Sequence, residues 1–129
     1  MKFTAENWPK DRWPNFSFKE IACQHCQECD INEDFMDDLQ TMREFVGPMK
    51  ITSGYRCPSH PIEAAKPAPG SHSKGLAVDV SCRGQGAFNV VRAGLEQGML
   101  GIGVSQQGDS RFIHLDQLSA SYRPSIWSY

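Results

Sequence analysis

Three side chains of this sequence could share one metal ion. His72 and Asp79 lie seven residues apart in Gly70-Ser71-His72-Ser73-Lys74-Gly75-Leu76-Ala77-Val78-Asp79-Val80, and His114 stands in Phe112-Ile113-His114-Leu115-Asp116. Two imidazoles and a carboxylate are the ligand set of a hydrolytic zinc site, where three protein ligands leave a fourth position open. There the ion lowers the pKa of water to about 7 and polarises a carbonyl, while a nearby base takes the proton. Two carboxylates are candidates for that base. Asp109 lies five residues before His114, in a stretch that reads as a turn; Asp116 lies two after it, on the same face of a strand. A carboxylate as close as Asp116 serves equally well to orient a ligand histidine through its N–H. The base role is divided between the two, leaning to Asp109. Arg56 has a fork that fits a substrate carboxylate bidentately, and its alternative is a structural ion pair. His60 reads as a bystander in a loop, and His25 is ambiguous. Such a triad can also arise by chance, and the alternative is satisfied histidines with a capping aspartate.

The elements that must position these groups read as follows. Alternation makes Leu76–Val80 a strand, with Leu76, Val78 and Val80 on one face and Ala77 and Asp79 on the other, so that Asp79 faces a cleft. Arg111–Asp116 is a last strand on which Phe112, His114 and Asp116 share a face. Met49–Ser53 and the Ile102/Val104 stretch are further short strands. A first helix starts near Asp30 or Asn32 and carries Phe35, Leu39, Met42 and Val46 at helical spacing, until Gly47-Pro48 ends it. Its acids, Glu33, Asp34, Asp37 and Asp38, read as a solvated face favoured by the helix dipole. A second helix is expected to bury Phe88, Val91, Leu95 and Met99, closed by Gly98. Residues 1–19, with Trp8, Trp13, Phe16 and Phe18 among prolines, form an extended arm whose rings dock on the core. A role for those rings in gripping sugar or peptide is the minor alternative. Residues 59–70 form a proline-rich loop, a wall or lid beside the site.

At 129 residues the chain is expected to be one domain, residues 1–129, with residues 1–30 as its aromatic and cysteine-rich arm. A net charge of -2 argues against a nucleic-acid partner, which needs a basic excess. No apolar run approaches the roughly 20 residues of a membrane span, and Met1–Pro14 carries no apolar secretory signal. The chain is therefore expected to be made in the cytoplasm, as a monomer. Five cysteines cannot all pair within one chain. Cys23, Cys26 and Cys29 stand at Cys-x-x-Cys-x-x-Cys with His25 inside, a spacing that suits a metal or a redox pair. One or two disulfides, or buried thiols, remain the alternative for these three with Cys57 and Cys82.

Gly70-Ser71-His72-Ser73-Lys74-Gly75-Leu76-Ala77-Val78-Asp79 resembles the Ser-x-His-x-x-Gly-x-Ala-x-Asp motif of the M15 zinc peptidases, matching it from His72 onward. Ser53-Gly54-Tyr55-Arg56-Cys57-Pro58 is similar to the segment preceding it in that family, and His114-Leu115-Asp116 to its closing His-x-Asp. Phe16–Glu20 and the cysteines after it resemble the opening of the subgroup related to D-Ala-D-Ala carboxypeptidases. The resemblance runs along nearly the whole chain. It implies an α+β fold, a small antiparallel sheet with helices packed on one side. It implies zinc on His72, Asp79 and His114, with a second, structural zinc at the cysteines as a further option, and substrate contacts from Arg56 and Ser71. It also implies hydrolysis of peptide bonds in peptidoglycan stem peptides, by a carboxypeptidase or a lysin-like endopeptidase acting at the cell wall, as phage lysins or virion-associated proteins do. Small Gly75 and Ala77 would leave room for the approach to Asp79. The stretch before the last ligand departs from the family: many relatives carry a Glu or His shortly before it as the base, whereas this chain has Arg111 three residues before His114 and Asp109 five before. Hedgehog domains share the fold without a guarantee of hydrolysis. The alternatives are therefore a wall-binding module that keeps fold and zinc, and a structural protein.

Overall fold

The computed structural model describes residues 2–129. Its elements in chain order are α1 (Phe18–Ile21), α2 (Glu33–Val46), β1 (Lys50–Ser53), α3 (Pro61–Ala64), β2 (Ala77–Ser81), α4 (Gly84–Glu96), β3 (Gly101–Ser105), β4 (Phe112–Asp116) and β5 (Ser125–Ser128). The five strands form one sheet in the order β1-β2-β4-β3-β5, so the fold is α+β. Three of the four pairings are antiparallel, but β5 runs parallel to β3. The sheet is therefore mixed, and its last strand lies in the tail, where Ser125, Ile126, Trp127 and Ser128 give little alternation of polarity to announce it.

The sheet has two faces with different work. Val78 and Val80 of β2 and Ile113 and Leu115 of β4 enter the core, with Ile51 and Ile102 beside them. Period-two geometry then sends Asp79, His114 and Asp116 to the opposite face. The register sets Asp79 against His114 and Ala77 against Asp116. On the core side α4 packs on β4 and against α2. Asn32 caps α2 by accepting the N–H of Phe35 (2.9 Å); it wins over Asp30 because its carbonyl amide sits at the start of the helical turn.

Helix α4 is turned from its expected orientation. Ala87, Val90, Ala93 and Gly94 are buried, whereas Phe88 and Leu95 are 67% and 62% exposed. The small face allows a close approach: a Cβ on Gly94 would come within 3.0 Å of Leu115. Close packing of small residues against the sheet outweighs the stripe of larger ones.

The arm docks as expected. Trp8, Trp13 and Phe16 are buried, Trp8 Nε1 donates to Phe16 O (2.8 Å) and Trp13 Nε1 donates to Asp37 Oδ1 (2.9 Å). Arg12 also forks onto the carboxylate of Asp37, so the acidic face of α2 is partly engaged by the arm. The proline-rich loop contains a short helix, α3, capped by His60, whose Nδ1 accepts the N–H of Ile62 (3.1 Å). No helix among the described residues is long and apolar enough to cross a membrane.

Candidate metal centre

His72, Asp79 and His114 each bring one ligand atom to a common point, all within 4.8 Å of one another and all buried. Asp79 Oδ1 lies 3.4 Å from His72 Nε2 and 3.1 Å from His114 Nδ1. The imidazoles stand edge to face, 5.2 Å between centroids.

Hydrogen bonds on the far side of each ring decide which nitrogen is bare. His72 Nδ1 faces the carbonyl oxygen of Gly54 (2.8 Å). A carbonyl only accepts, so the proton sits on Nδ1 and the lone pair of Nε2 points at Asp79. His114 Nε2 donates to Asp116 Oδ2 (2.6 Å), which leaves Nδ1 to the same point. Burial pushes the His114 pKa down, but Asp116 and Asp79 more than reverse this and raise it above its ordinary value. Asp79 likewise stays ionised, because His114 and His72 outweigh the upward push of burial. The arrangement thus calls for positive charge between Asp79 Oδ1 and His114 Nδ1, and a divalent cation held by two bare imidazole nitrogens and a carboxylate satisfies it.

Asp116 is completely buried and its oxygens are occupied. Besides His114, Oδ2 accepts from Arg123 Nη2 (2.7 Å), and Oδ1 accepts from Arg123 Nε (3.1 Å) and Leu118 N–H (3.1 Å). Burial alone would push its pKa up, yet His114 and Arg123 hold it down at about 2. A carboxylate so placed orients His114 and has little capacity to take a proton. Asp109 is exposed in the turn between β3 and β4, where its backbone carbonyl accepts from Arg83 Nη2 (3.3 Å). Its carboxylate has no partner among the described residues.

Arg56 points into the fold. Its Nε donates to Ser53 Oγ (3.1 Å), and its Nη atoms lie 3.5 Å from Glu63 Oε2 and 3.6 Å from Asp79 Oδ2. The structural ion pair, given above as the alternative, is thus present, and it steadies the outer oxygen of Asp79. A β-bulge at Thr52 supports this by setting Ser53 opposite Asp79. Ser71 is half-buried at the start of the turn carrying His72, where its carbonyl accepts the N–H of Leu76 (3.1 Å). Gly75 does not act by leaving space for Asp79. It adopts a φ of 72°, and a Cβ there would collide with the carbonyl of Asp30; its own carbonyl accepts the N–H of Asn32 (2.8 Å).

Several groups at the site escaped the sequence reading. Glu63 is buried in α3 and holds Lys66 (2.9 Å), the N–H of Gly70 (3.0 Å) and Arg56. Trp127 of β5 packs at a tilt against His114 with centroids 5.3 Å apart, and the Arg123 guanidinium lies over the Trp127 ring, 4.7 Å from its centroid. Two glycines of β3 make the room. A Cβ at Gly101 would collide with the Asp116 carboxylate, and one at Gly103 would press on Trp127 and His114. Gly101-x-Gly103 within a strand was the available signal, since such glycines mark close approach.

The cysteine run does not gather as its spacing suggests. Cys29 is fully buried and its carbonyl accepts the N–H of Phe3 (2.7 Å), whereas the sulfurs of Cys23 and Cys26 meet that of Cys57. None of the five cysteines is joined in a disulfide.

A family model described as peptidase M15 matches residues 14–116. The chain belongs to the peptidase M15 family. Peptidases of this family are zinc-dependent, which agrees with the donor set just described. The matched stretch holds His72, Asp79, His114 and Asp116; Arg123 and Trp127 lie beyond it. No curated protein matches the chain.

Proposed function

We propose that this M15 family member is a zinc peptidase that cleaves peptide bonds in the stem peptides of bacterial peptidoglycan, as a carboxypeptidase or a lysin-like endopeptidase acting at the cell wall. The observation that carries the reading is the pair of fixed tautomers, which turns His72 Nε2 and His114 Nδ1 toward one oxygen of Asp79. These three residues would hold the ion. Zinc, when bound, polarises a carbonyl and acidifies water.

The chain's own residues supply the rest. Gly54 O and Asp116 keep the two rings in their ligating orientation, and Arg56 steadies Asp79. Trp127 shields one side of His114 from water. Of the two candidate bases, Asp109 is the one whose carboxylate is free to accept a proton, and it acts when the turn at 106–111 folds over bound substrate. Ser71, at the rim, contacts the peptide. The wall-binding module without catalysis is the competing reading, favoured only by the distance of Asp109 along the turn from the strand that carries His114.

The test is mass spectrometry of fragments released from purified peptidoglycan, with the protein as isolated, after chelation, and after zinc is restored. Release of stem-peptide fragments that stops on chelation and returns with zinc supports the reading, and the fragment masses identify the bond. Binding to peptidoglycan without any release, with zinc present, contradicts it.

A further inference from the structure

A second convergence of ligating side chains lies outside the His72 centre, and the reaction has no use for it. The sulfurs of Cys23, Cys26 and Cys57 lie within 4.8 Å of one another. Cys57 Sγ also stands 3.8 Å from Nδ1 of His25. A tetrahedral zinc with Zn–S bonds of about 2.3 Å and Zn–N bonds of about 2.0 Å keeps its ligand atoms roughly 3.5–3.8 Å apart. The Cys57–His25 separation of 3.8 Å is within about 0.3 Å of the S–N edge of such a tetrahedron. We propose that Cys23, Cys26, Cys57 and His25 bind a structural zinc ion, in addition to the ion at the His72 centre.

The backbone brings the two halves of this set together. Cys23-Gln24-His25-Cys26 closes into a tight turn in which the N–H of Gln27 donates to Cys23 O (2.7 Å) and the N–H of Cys23 donates to Glu28 O (2.7 Å). Gln27 takes a left-handed φ of 62° to allow it. The other half arrives through the N–H of Tyr55, which donates to Ile21 O (2.8 Å). Donors already face the sulfurs: the N–H of Cys57 lies 3.3 Å from Cys23 Sγ, and Ser59 Oγ lies 3.3 Å from Cys57 Sγ. Such donors suit thiolate ligands. His25 is exposed and, among the described residues, contacts only Cys57 and, at 6.0 Å, the ring of His60, so it can turn to meet the other sulfurs. Cys29 and Cys82 take no part; Cys82 Sγ donates to Val80 O (3.3 Å).

Three thiolates and one imidazole close the coordination and leave no open position, which is the character of a structural site. Its place in the fold gives it a task. It ties the turn after α1 to residues 54–57, the segment that supplies Gly54 O to His72 and Arg56 to Asp79.

Zinc per chain, measured on protein purified under reducing conditions without chelator, tests the proposal. The measurement is made on the His72→Ala/His114→Ala variant, so that it does not depend on how the first centre behaves. One zinc per chain is expected. Exchange for Co2+ should give strong near-ultraviolet thiolate-to-metal absorption. Cys57→Ser in that background should lose the metal, Cys29→Ser should keep it, and His25→Ala should weaken zinc binding at least tenfold. Should Cys57→Ser not fold, the unaltered chain answers through alkylation under native conditions. Cys23, Cys26 and Cys57 should be protected until a chelator is added. No zinc in the double variant, a disulfide among the three sulfurs, zinc retained by folded Cys57→Ser, or full affinity in His25→Ala would overturn the assignment.

Discussion

Asp116 and Asp109 are both aspartates close in sequence to His114, and their surroundings give them different capacities. Four hydrogen bonds saturate Asp116, so its loss should be felt in metal binding first. Asp116→Asn is expected to weaken zinc at the His72 centre about 10–100-fold, read by competition with a chromophoric chelator, because the tautomer of His114 is no longer enforced. Asp109→Ala should leave zinc affinity unchanged and lower kcat by about 10²–10⁴-fold, the usual contribution of a general base. An unaltered kcat removes Asp109 from the reaction. The candidate ligands His72 and Asp79 stand out in the sequence through their motif and the alternation around Asp79, and the structure adds that His114 converges with them. The difference between the two aspartates was not legible. It depends on Arg123, which reaches Asp116 only because the tail folds back to form β5.

At the scale of elements, the strands near the site were readable from period-two alternation, and α2 from its apolar stripe and cap. Helix α4 was not. Its larger residues also have helical spacing, and nothing local says that Ala87, Ala93 and Gly94 will win the face against β4. The contrast can be measured by denaturant unfolding. Phe88→Ser, on the exposed side, should change stability by no more than about 0.5 kcal/mol. Gly94→Leu should destabilise by about 1–3 kcal/mol, since Leu115, Met99 and Ile102 already surround that position. The reverse ranking would restore the expected face. Strand β5 was missed for another reason: it is parallel to β3 and at the sheet edge, so only one side of it carries a ladder and its sequence need not alternate.

Across the whole molecule, the proline-rich loop, the β1 bulge and the metal centre are joined by one chain of charge, from Lys66 through Glu63 and Arg56 to Asp79. Burial pushes the Glu63 carboxyl up, but Lys66, the N–H of Gly70 and Ser73 hold it at about 2, below its usual 4.5. A depressed carboxyl contributes stability that is complete above its unfolded pKa and is lost as pH falls toward the folded one. Glu63→Gln should therefore cost on the order of 2–3 kcal/mol near neutral pH. The gap to the unaltered chain should narrow below pH 4.5 and close near pH 2. A gap that persisted unchanged down to pH 2 would show that the loop is held by packing instead of by this carboxylate. Sequence alone could not place Glu63, because its burial depends on α3 packing beside Arg56 and on a partner, Gly70, beyond Pro67 and Pro69.

The expected effects on zinc affinity and kcat presuppose that His72, Asp79 and His114 hold the ion on which hydrolysis depends. The most direct measurement is the rate at which new amino groups appear in purified peptidoglycan, compared between the zinc-loaded chain and folded His72→Ala at equal concentration. Loss of at least 10³-fold, together with loss of one equivalent of zinc, is the predicted result. Undiminished release by a His72→Ala protein lacking that zinc would contradict the account.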